Sequence, residues 1–277
     1  MAGRLGLIAG GGGLPVAVAR RCEAEGRPLF VVRLSDFAEP VLARYEGIDA
    51  SMGEFGRIIQ SLKAAGCDSV CFAGYVNRPD FRKFRTDAKG AAVLPGLIAA
   101  AVGGDGALLR KVLSVFEQAG FRVEGADEVM GGETLPAGAL GAHAPGEADL
   151  ADLRKALDVA RTTGRMEIGQ GAVVCRGLVL AVEAQENTDA MLDRVAGLPL
   201  ALRGGGEPCG ALSKAPMPVQ DRRVDLPVIG PGTIERAARA GLAGVAGEAG
   251  GLILIDPAAI RETADRLGLF VWGEPAP

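Results

Sequence analysis

The sequence predicts the α/β class: a parallel sheet flanked by helices in the first half, then a second, smaller-grained mixed α/β region. Three observations point there. From residue 4 to about 127, short apolar runs alternate with longer amphipathic ones, the pattern of strands and crossover helices. Four consecutive glycines, Gly10 to Gly13, join the first apolar run to the first amphipathic one. Residues 131–148, GGETLPAGALGAHAPGEA, are dense in Gly, Pro and Ala and carry no sustained period, as at a domain boundary.

In chain order, RLGLIAG reads as a first strand and PVAVARRCEAEG as a helix opened by Pro15, whose fixed φ suits a first turn. PLFVVRL is a second strand. GEFGRIIQSLKAAG places Ile58, Ile59 and Leu62 on one helical face, and DSVCFAG is a third strand ending at Gly74. Helical stretches at 91–101 and 105–119 and a fourth strand, FRVEGAD, complete a Rossmann-like N-terminal domain over 1–130. A linker over 131–148 leads to a C-terminal mixed α/β domain over 149–277. There DLADLRKALDVARTTG is an amphipathic helix, and AVVCRGLVLAVEA holds two β-rich runs meeting at the turn-prone Arg176-Gly177. Helices near 188–196, 231–240 and 257–266 alternate with the short strands GLILID and LGLFVW. Pattern alone does not set the strand order of this half, and no internal repeat is present.

Composition narrows the function. The chain has 277 residues with 30 Lys and Arg against 34 Asp and Glu, a formal charge of −4, which opposes an electrostatic nucleic-acid binder. With 48% hydrophobic and 23% charged residues it is an ordinary globular composition. Glycine is abundant and aromatics scarce, so the core rests on aliphatic residues and the backbone can approach a ligand closely. The one histidine, His143, excludes His-rich zinc sites within a subunit and would have to carry any Ser-His-Asp triad alone; it reads as an exposed loop residue. Hydrolytic chemistry here therefore falls to carboxylates, Lys or Arg, backbone amides and a hard cation such as Mg²⁺. The cysteines at 22, 67, 71, 175 and 209 form no C-x-x-C pair and are expected as reduced, mostly buried thiols of a cytosolic protein. The first apolar run is cut by glycines before it reaches the length of a signal-peptide core, and Ala91 to Gly104, the longest apolar stretch, is interrupted by Pro95 and Gly96 and too short to span a bilayer. A soluble cytoplasmic protein is expected, with room for peripheral membrane contact.

Candidate sites follow the turns. Gly10 to Pro15 sits between strand and helix, where bare amides at a helix start can hold phosphate or sugar; the plainer reading is a tight turn. As a dinucleotide fingerprint the loop fails, because Pro15 stands where the third Gly or Ala belongs, although Asp36 lies about where a ribose-binding acid would. Gly74-Tyr75-Val76-Asn77-Arg78-Pro79 ends the third strand, with Arg82, Lys83 and Arg85 after it, which suggests an anionic ligand beside the glycine loop. Asp105 reads as a helix cap. In the second half, Glu183 to Asp189 gathers three acids, two amides and a hydroxyl at a helix start, where Thr188 or Asp189 could serve as the cap. Lys214, Asp221 and Asp225 lie within a dozen residues in a loop that ends at Gly230-Pro231-Gly232-Thr233. Alternating Asp and Arg is often only a surface ion-pair network, yet a Lys and two Asp are also what phosphoryl chemistry needs.

The segments IAGGGGLP, GYVNRP, GDGALL, IGQGAVV, AVEAQENTDAM and LSKAPMPVQDRRVDLPVIGPGTI, in this order along essentially the whole chain, resemble the UDP-2,3-diacylglucosamine pyrophosphatases of the LpxI type, lipid A biosynthesis enzymes. The family usually reads Glu-Gly-Thr-Asp where this chain has Glu186-Asn187-Thr188-Asp189; Asn is the non-glycine residue best suited to left-handed dihedrals. The resemblance implies Mg²⁺-dependent hydrolysis of UDP-2,3-diacylglucosamine to lipid X and UMP, attack at the β-phosphorus, a ligand held between two domains and a homodimer. Carried onto this chain it makes Asp225 the first choice for the essential carboxylate, as metal ligand or water activator, with Asp221 and Asp189 as second choices, Asp189 at the metal. Lys214 and Arg78 would carry phosphate charge. Glu186, Asn187 and Thr188 would bond sugar and phosphate, and Gly11, Gly12, Gly13, Leu14, Gly74, Val76 and Asn77 would line the remaining surface. The acyl chains need an apolar surface, for which Ala91 to Val102 is a candidate, though it reads first as an ordinary buried helix. Two readings of other classes stand beside this one: a nicotinamide-dependent oxidoreductase, opposed by the missing third glycine, and a nucleotide- or lipid-binding sensor, which would not need the Lys214, Asp221 and Asp225 set.

Overall fold

The computed structural model describes residues 3–76, 85–218 and 221–275. The chain forms two compact units, one of Met1–Gly132 with Gln220–Val224, the other of Glu133–Val219 with Asp225–Pro277.

The first unit runs β1 (Arg4–Ala9), α1 (Gly13–Ala24), β2 (Leu29–Leu34), β3 (Gly47–Ala50), α2 (Phe55–Ala64), β4 (Cys67–Ala73), α3 (Ala88–Val102), α4 (Asp105–Gln118), β5 (Arg122–Glu124) and α5 (Ala126–Val129). Its five strands pair in the order β3-β2-β1-β4-β5, all parallel, the Rossmann-like arrangement expected. β1 lies at the centre and is buried on both faces, which is why it reads as a continuous apolar run rather than an alternating one. Ile58, Ile59 and Leu62 of α2 are buried as their spacing requires, and Phe116 anchors the core with rings of Phe55, Phe72 and Phe121 at 6.1, 5.1 and 6.5 Å. Two elements depart from expectation. β3, only GIDA, is too short and too polar to register as an apolar run, so DSVCFAG is the fourth strand and FRVEGAD supplies the fifth. α3, expected as a buried helix, buries only Gly90, Leu97 and Ala101.

The second unit comprises β6 (Gly138–Ala139), α6 (Glu147–Arg165), β7 (Gly171–Cys175), β8 (Leu178–Val182), α7 (Asn187–Ala196), β9 (Ala211–Lys214), β10 (Val228–Ile229), α8 (Pro231–Arg239), β11 (Gly244–Glu248), β12 (Ile253–Leu254), α9 (Pro257–Leu267) and β13 (Phe270–Glu274). A six-stranded mixed sheet, β6-β13-β11-β9-β7-β8, is parallel through β9, β11 and β13 and antiparallel at both edges; β10 and β12 form a separate parallel pair. β7 and β8 are a hairpin whose turn residues, Arg176 (φ 51) and Gly177 (φ 75), are both left-handed, and the buried Asp152 of α6 accepts both of their amides at 2.7 Å.

Two sequence expectations are corrected here. The segment read as a linker is part of this unit from residue 133: Leu135 is fully buried and exchanges backbone hydrogen bonds with Leu252 and Gly250, and β6 pairs with β13. A two-residue strand between prolines and glycines has no period to detect. The cysteines are not all reduced: Cys175 and Cys209 form a disulfide, Cα–Cα 5.7 Å, while Cys22, Cys67 and Cys71 are buried free thiols. A separation of 34 residues carries no sequence signature. Burial pushes the Cys67 thiol up to about 11 and Cys71 higher still, so both are poor nucleophiles. His143 is half-buried, its Nε2 3.3 Å from the Asp265 carbonyl oxygen.

Candidate active site

In the first unit the glycine loop is fastened to the end of β4. Gly10 N–H donates to Ala73 O, and Gly11 and Tyr75 exchange both backbone bonds at 2.9 and 3.1 Å. The backbones approach so closely that a Cβ on Gly10 would lie 2.6 Å from the Tyr75 oxygen, and one on Gly74 (φ 89) would collide with the Gly11 oxygen. Gly12 (φ 86) precedes α1 as its N-cap and its amide meets the Glu39 carboxylate at 3.3 Å; Gly13 and Leu14 open the helix, where first-turn amides have no intrahelical acceptor. Gly74 and Val76 are exposed beside this loop. Asn77, Arg78, Arg82 and Lys83 lie outside the described residues. Asp36 follows β2 in left-handed backbone (φ 76), and Asp105 opens α4 with Gly104, not Asp105, as the cap.

In the second unit β8 and β9 deliver a buried charged group. Glu183 follows β8, Lys214 ends β9 and Thr188 lies in the first turn of α7; they are 5%, 3% and 9% exposed. Lys214 Nζ donates to Thr188 Oγ1 at 2.5 Å, Thr188 Oγ1 donates to Glu183 Oε1 at 2.6 Å, and Lys214 Nζ stands 3.6 Å from Glu183 Oε2, which has no hydrogen-bond donor among the described residues. An isolated charge at this depth would cost many kcal/mol, so each ion depends on the other. Gly171, the register partner of Lys214, makes room for them: a Cβ there would lie 2.6 Å from Glu183 Oε2.

Around this group the predicted residues take distinct positions. Asn187 adopts φ 72, the left-handed backbone its glycine-like place demands, and its Oδ1 accepts from the amides of Asp189 and Ala190 at 3.1 and 3.2 Å; Asn187, not Thr188 or Asp189, is the side-chain cap. Glu186 pairs with Arg194 at 2.8 Å, and a backbone amide with that guanidinium holds its carboxyl below the ordinary range. Asp189 pairs with Arg236 of α8 at 3.2 Å, and Arg236 also binds Asp193 at 2.9 Å. Asp225 is half-buried in this unit. Asp221 belongs to the first unit, where Arg223 grips it at 2.7 Å and depresses its pKa while also reaching Glu117 at 3.0 Å.

Lys214 and Thr188 are therefore brought into direct contact, whereas Asp189 and Asp221 are each engaged by an arginine. Among the described residues no three His, Cys, Asp or Glu side chains converge. The predicted metal donors Asp225 and Asp189 both belong to this unit and are carboxylates, the donor type that suits a hard cation completed by water and substrate phosphate oxygens. Sequence reasoning placed Glu183 and Tyr75 inside candidate segments without singling them out, and it did not name Arg236 or Glu39, whose contacts come from tertiary neighbours.

The LpxI N-terminal domain model matches residues 4–132 and the LpxI C-terminal domain model residues 136–272. A protein of Caulobacter vibrioides named UDP-2,3-diacylglucosamine pyrophosphatase LpxI is 62% identical over 271 residues, covering 98% of this chain and 97% of that one. Among solved structures, CobK precorrin-6A reductase overlaps with TM-score 0.34 at 16% identity over 100% of this chain and 89% of its own. A putative NAD-dependent epimerase/dehydratase from Methylobacillus flagellatus overlaps with TM-score 0.33 at 14% identity over 100% and 85%. Neither overlap bears on function. With two domain models spanning nearly all of it and a full-length relative at 62% identity, this chain belongs to the LpxI family.

Proposed function

We propose that the protein hydrolyses UDP-2,3-diacylglucosamine to UMP and 2,3-diacylglucosamine 1-phosphate, lipid X, with Mg²⁺ and with water attacking the β-phosphorus. The observation that carries the reading is the 62% identity, over 98% of the chain, with an enzyme named for this substrate. The chemistry needs no imidazole, in keeping with a single histidine engaged by a backbone carbonyl.

In this reading Asp225 accepts the proton of the attacking water. The water oxygen bonds to the β-phosphorus, the bond from that phosphorus to the bridging oxygen breaks, and UMP leaves with the bridging oxygen. Lys214, fixed by Thr188 and Glu183, and Arg78 face the phosphate charge. Glu186, Asn187 and Thr188 bond sugar and phosphate oxygens. The amides of Gly11, Gly12, Gly13 and Leu14, with Gly74, Val76 and Asn77, hold the other part of the nucleotide sugar. Bound Mg²⁺, held by Asp225 and Asp189 together with substrate phosphate oxygens, would neutralise charge on the pyrophosphate.

Incubation in ¹⁸O water with Mg²⁺ or EDTA tests this. Metal-dependent release of UMP and lipid X, with ¹⁸O in lipid X, is expected. Label in UMP would move the attack to the α-phosphorus, and no release by folded protein would remove the assignment.

A further inference from the structure

α3 is an apolar helix left on the surface. Lys89 is its only charged residue, and only Gly90, Leu97 and Ala101 are buried. Ala91, Pro95, Ile98 and Val102 recur every three to four residues and form one exposed stripe, with Ala92 and Ala99 beside it; Ile98 is 45% and Val102 87% exposed. Scattered exposed aliphatics are ordinary, but a contiguous stripe along about three turns marks a contact surface.

A second feature borders the stripe. Between α3 and α4 lies a cavity of about 350 Å³, lined by Ala92, Val93 and Val115 together with Gln118 and the two lysines, Lys89 and Lys111. Gly96 lets Lys111 lie against α3, since a Cβ there would be 3.0 Å from Lys111 Cε. Among the described residues neither lysine has an acidic partner, and α3 itself carries no acid. An apolar helical face edged by cations is the make-up of a helix lying in a membrane interface, its aliphatics entering the acyl boundary and its lysines meeting lipid phosphates. α3 offers no acidic group to meet Lys89 and Lys111 of a second copy, whereas lipid phosphates supply the counter-charge that this face lacks.

We propose that the exposed face of α3, with Lys89 and Lys111 on its flank, docks on an anionic phospholipid bilayer. The proposal deepens the hydrolase reading, since a diacylated substrate resides in a bilayer, but its test reads binding and not turnover.

The test is flotation of the full chain with phosphatidylglycerol–phosphatidylethanolamine vesicles against phosphatidylcholine vesicles. Binding to the anionic vesicles is expected, falling as salt rises. Lys89→Gln and Lys111→Gln each weaken partitioning by about fivefold, and Ile98→Asp with Val102→Asp by about tenfold or more. Melting temperatures stay unchanged because these side chains are on the surface. No partitioning, equal partitioning to both vesicle types, or variants that bind like the parent would overturn the proposal. So would a dimer in solution that Ile98→Asp dissolves, which would assign the face to a second copy, or acidic peptide displacing the chain at unchanged vesicle affinity for the lysine variants. Vesicle binding without hydrolysis sinks the hydrolase reading alone, and hydrolysis without vesicle binding sinks this one alone.

Discussion

Lys214 and Glu183 are 3% and 5% exposed, with Thr188 between them, so removing either ion strands the other in a low-dielectric interior. Lys214→Met is expected to lower stability by about 3 kcal/mol, read as a shift of the urea midpoint at constant slope. A variant as stable as the parent would mean that water reaches the pair. Asp225 is half-buried, so its side chain can be shortened without opening the core. Asp225→Ala should fold, still bind substrate and lose turnover by roughly 10²–10⁴-fold; UMP release at the parental rate would remove Asp225 from its role. At Asn187 the constraint is on the backbone. With φ 72, Asn187→Gly should change stability by only a few tenths of a kcal/mol, whereas Asn187→Val should cost about 1–2 kcal/mol, measured by thermal unfolding. That position was legible in advance, because the resemblance implied a glycine there and Asn is the residue that best replaces one in left-handed backbone. The Lys214–Thr188–Glu183 contact was not, because it joins positions up to 31 apart through strand register.

Elements with their own periodicity were read correctly, and those without were not. α2, α6 and α7 carry apolar faces at helical spacing, and the Arg176-Gly177 turn announces its hairpin through turn chemistry. β3, β6 and β10 are two to four residues long and are defined only by the strands they pair with. The linker reading failed for the same reason. The glycine loop was visible, but its clamp on Tyr75 was not, since that bridge joins residues 64 apart. Gly74→Ala should place a methyl against the Gly11 oxygen in left-handed backbone and destabilise the first unit by at least about 1–2 kcal/mol. The Cys175–Cys209 disulfide closes a loop of 34 residues, so Cys209→Ser or reduction should lower stability by about 3–4 kcal/mol by the chain-entropy estimate. Calorimetry with and without dithiothreitol measures it, and an unchanged melting temperature in reductant would contradict it.

Across the whole molecule, the strongest pH-dependent stabilisation resolved lies in the first unit. Glu124 joins Arg27 at 2.8 and 2.9 Å and Arg122 at 2.8 Å; burial opposes its charge, but the hydrogen bonds from Arg27, Ser69 and Arg122 outweigh it and hold the carboxyl at about 2 instead of 4.5. Because the folded pKa lies below the unfolded one, this stabilisation is fully present above pH ~4.5 and disappears as pH falls toward ~2, an effect of about 3 kcal/mol. Unfolding curves across that range should show it, and Glu124→Gln should flatten the dependence. Among the described residues no helix is long and apolar enough to cross a membrane. The sequence by itself determined the class, the parallel sheet of the first half, most helices and the family, because these rest on local periodicity, turn chemistry and the order of motifs along the chain. Tertiary structure alone decided that residues 133–148 build the second unit, that 221–224 belong to the first, that Cys175 meets Cys209, and that α3 keeps an apolar face outward. Each of these depends on which distant segments become neighbours, and hydrophobic patterning fixes which face of an element is apolar without fixing what, if anything, covers it.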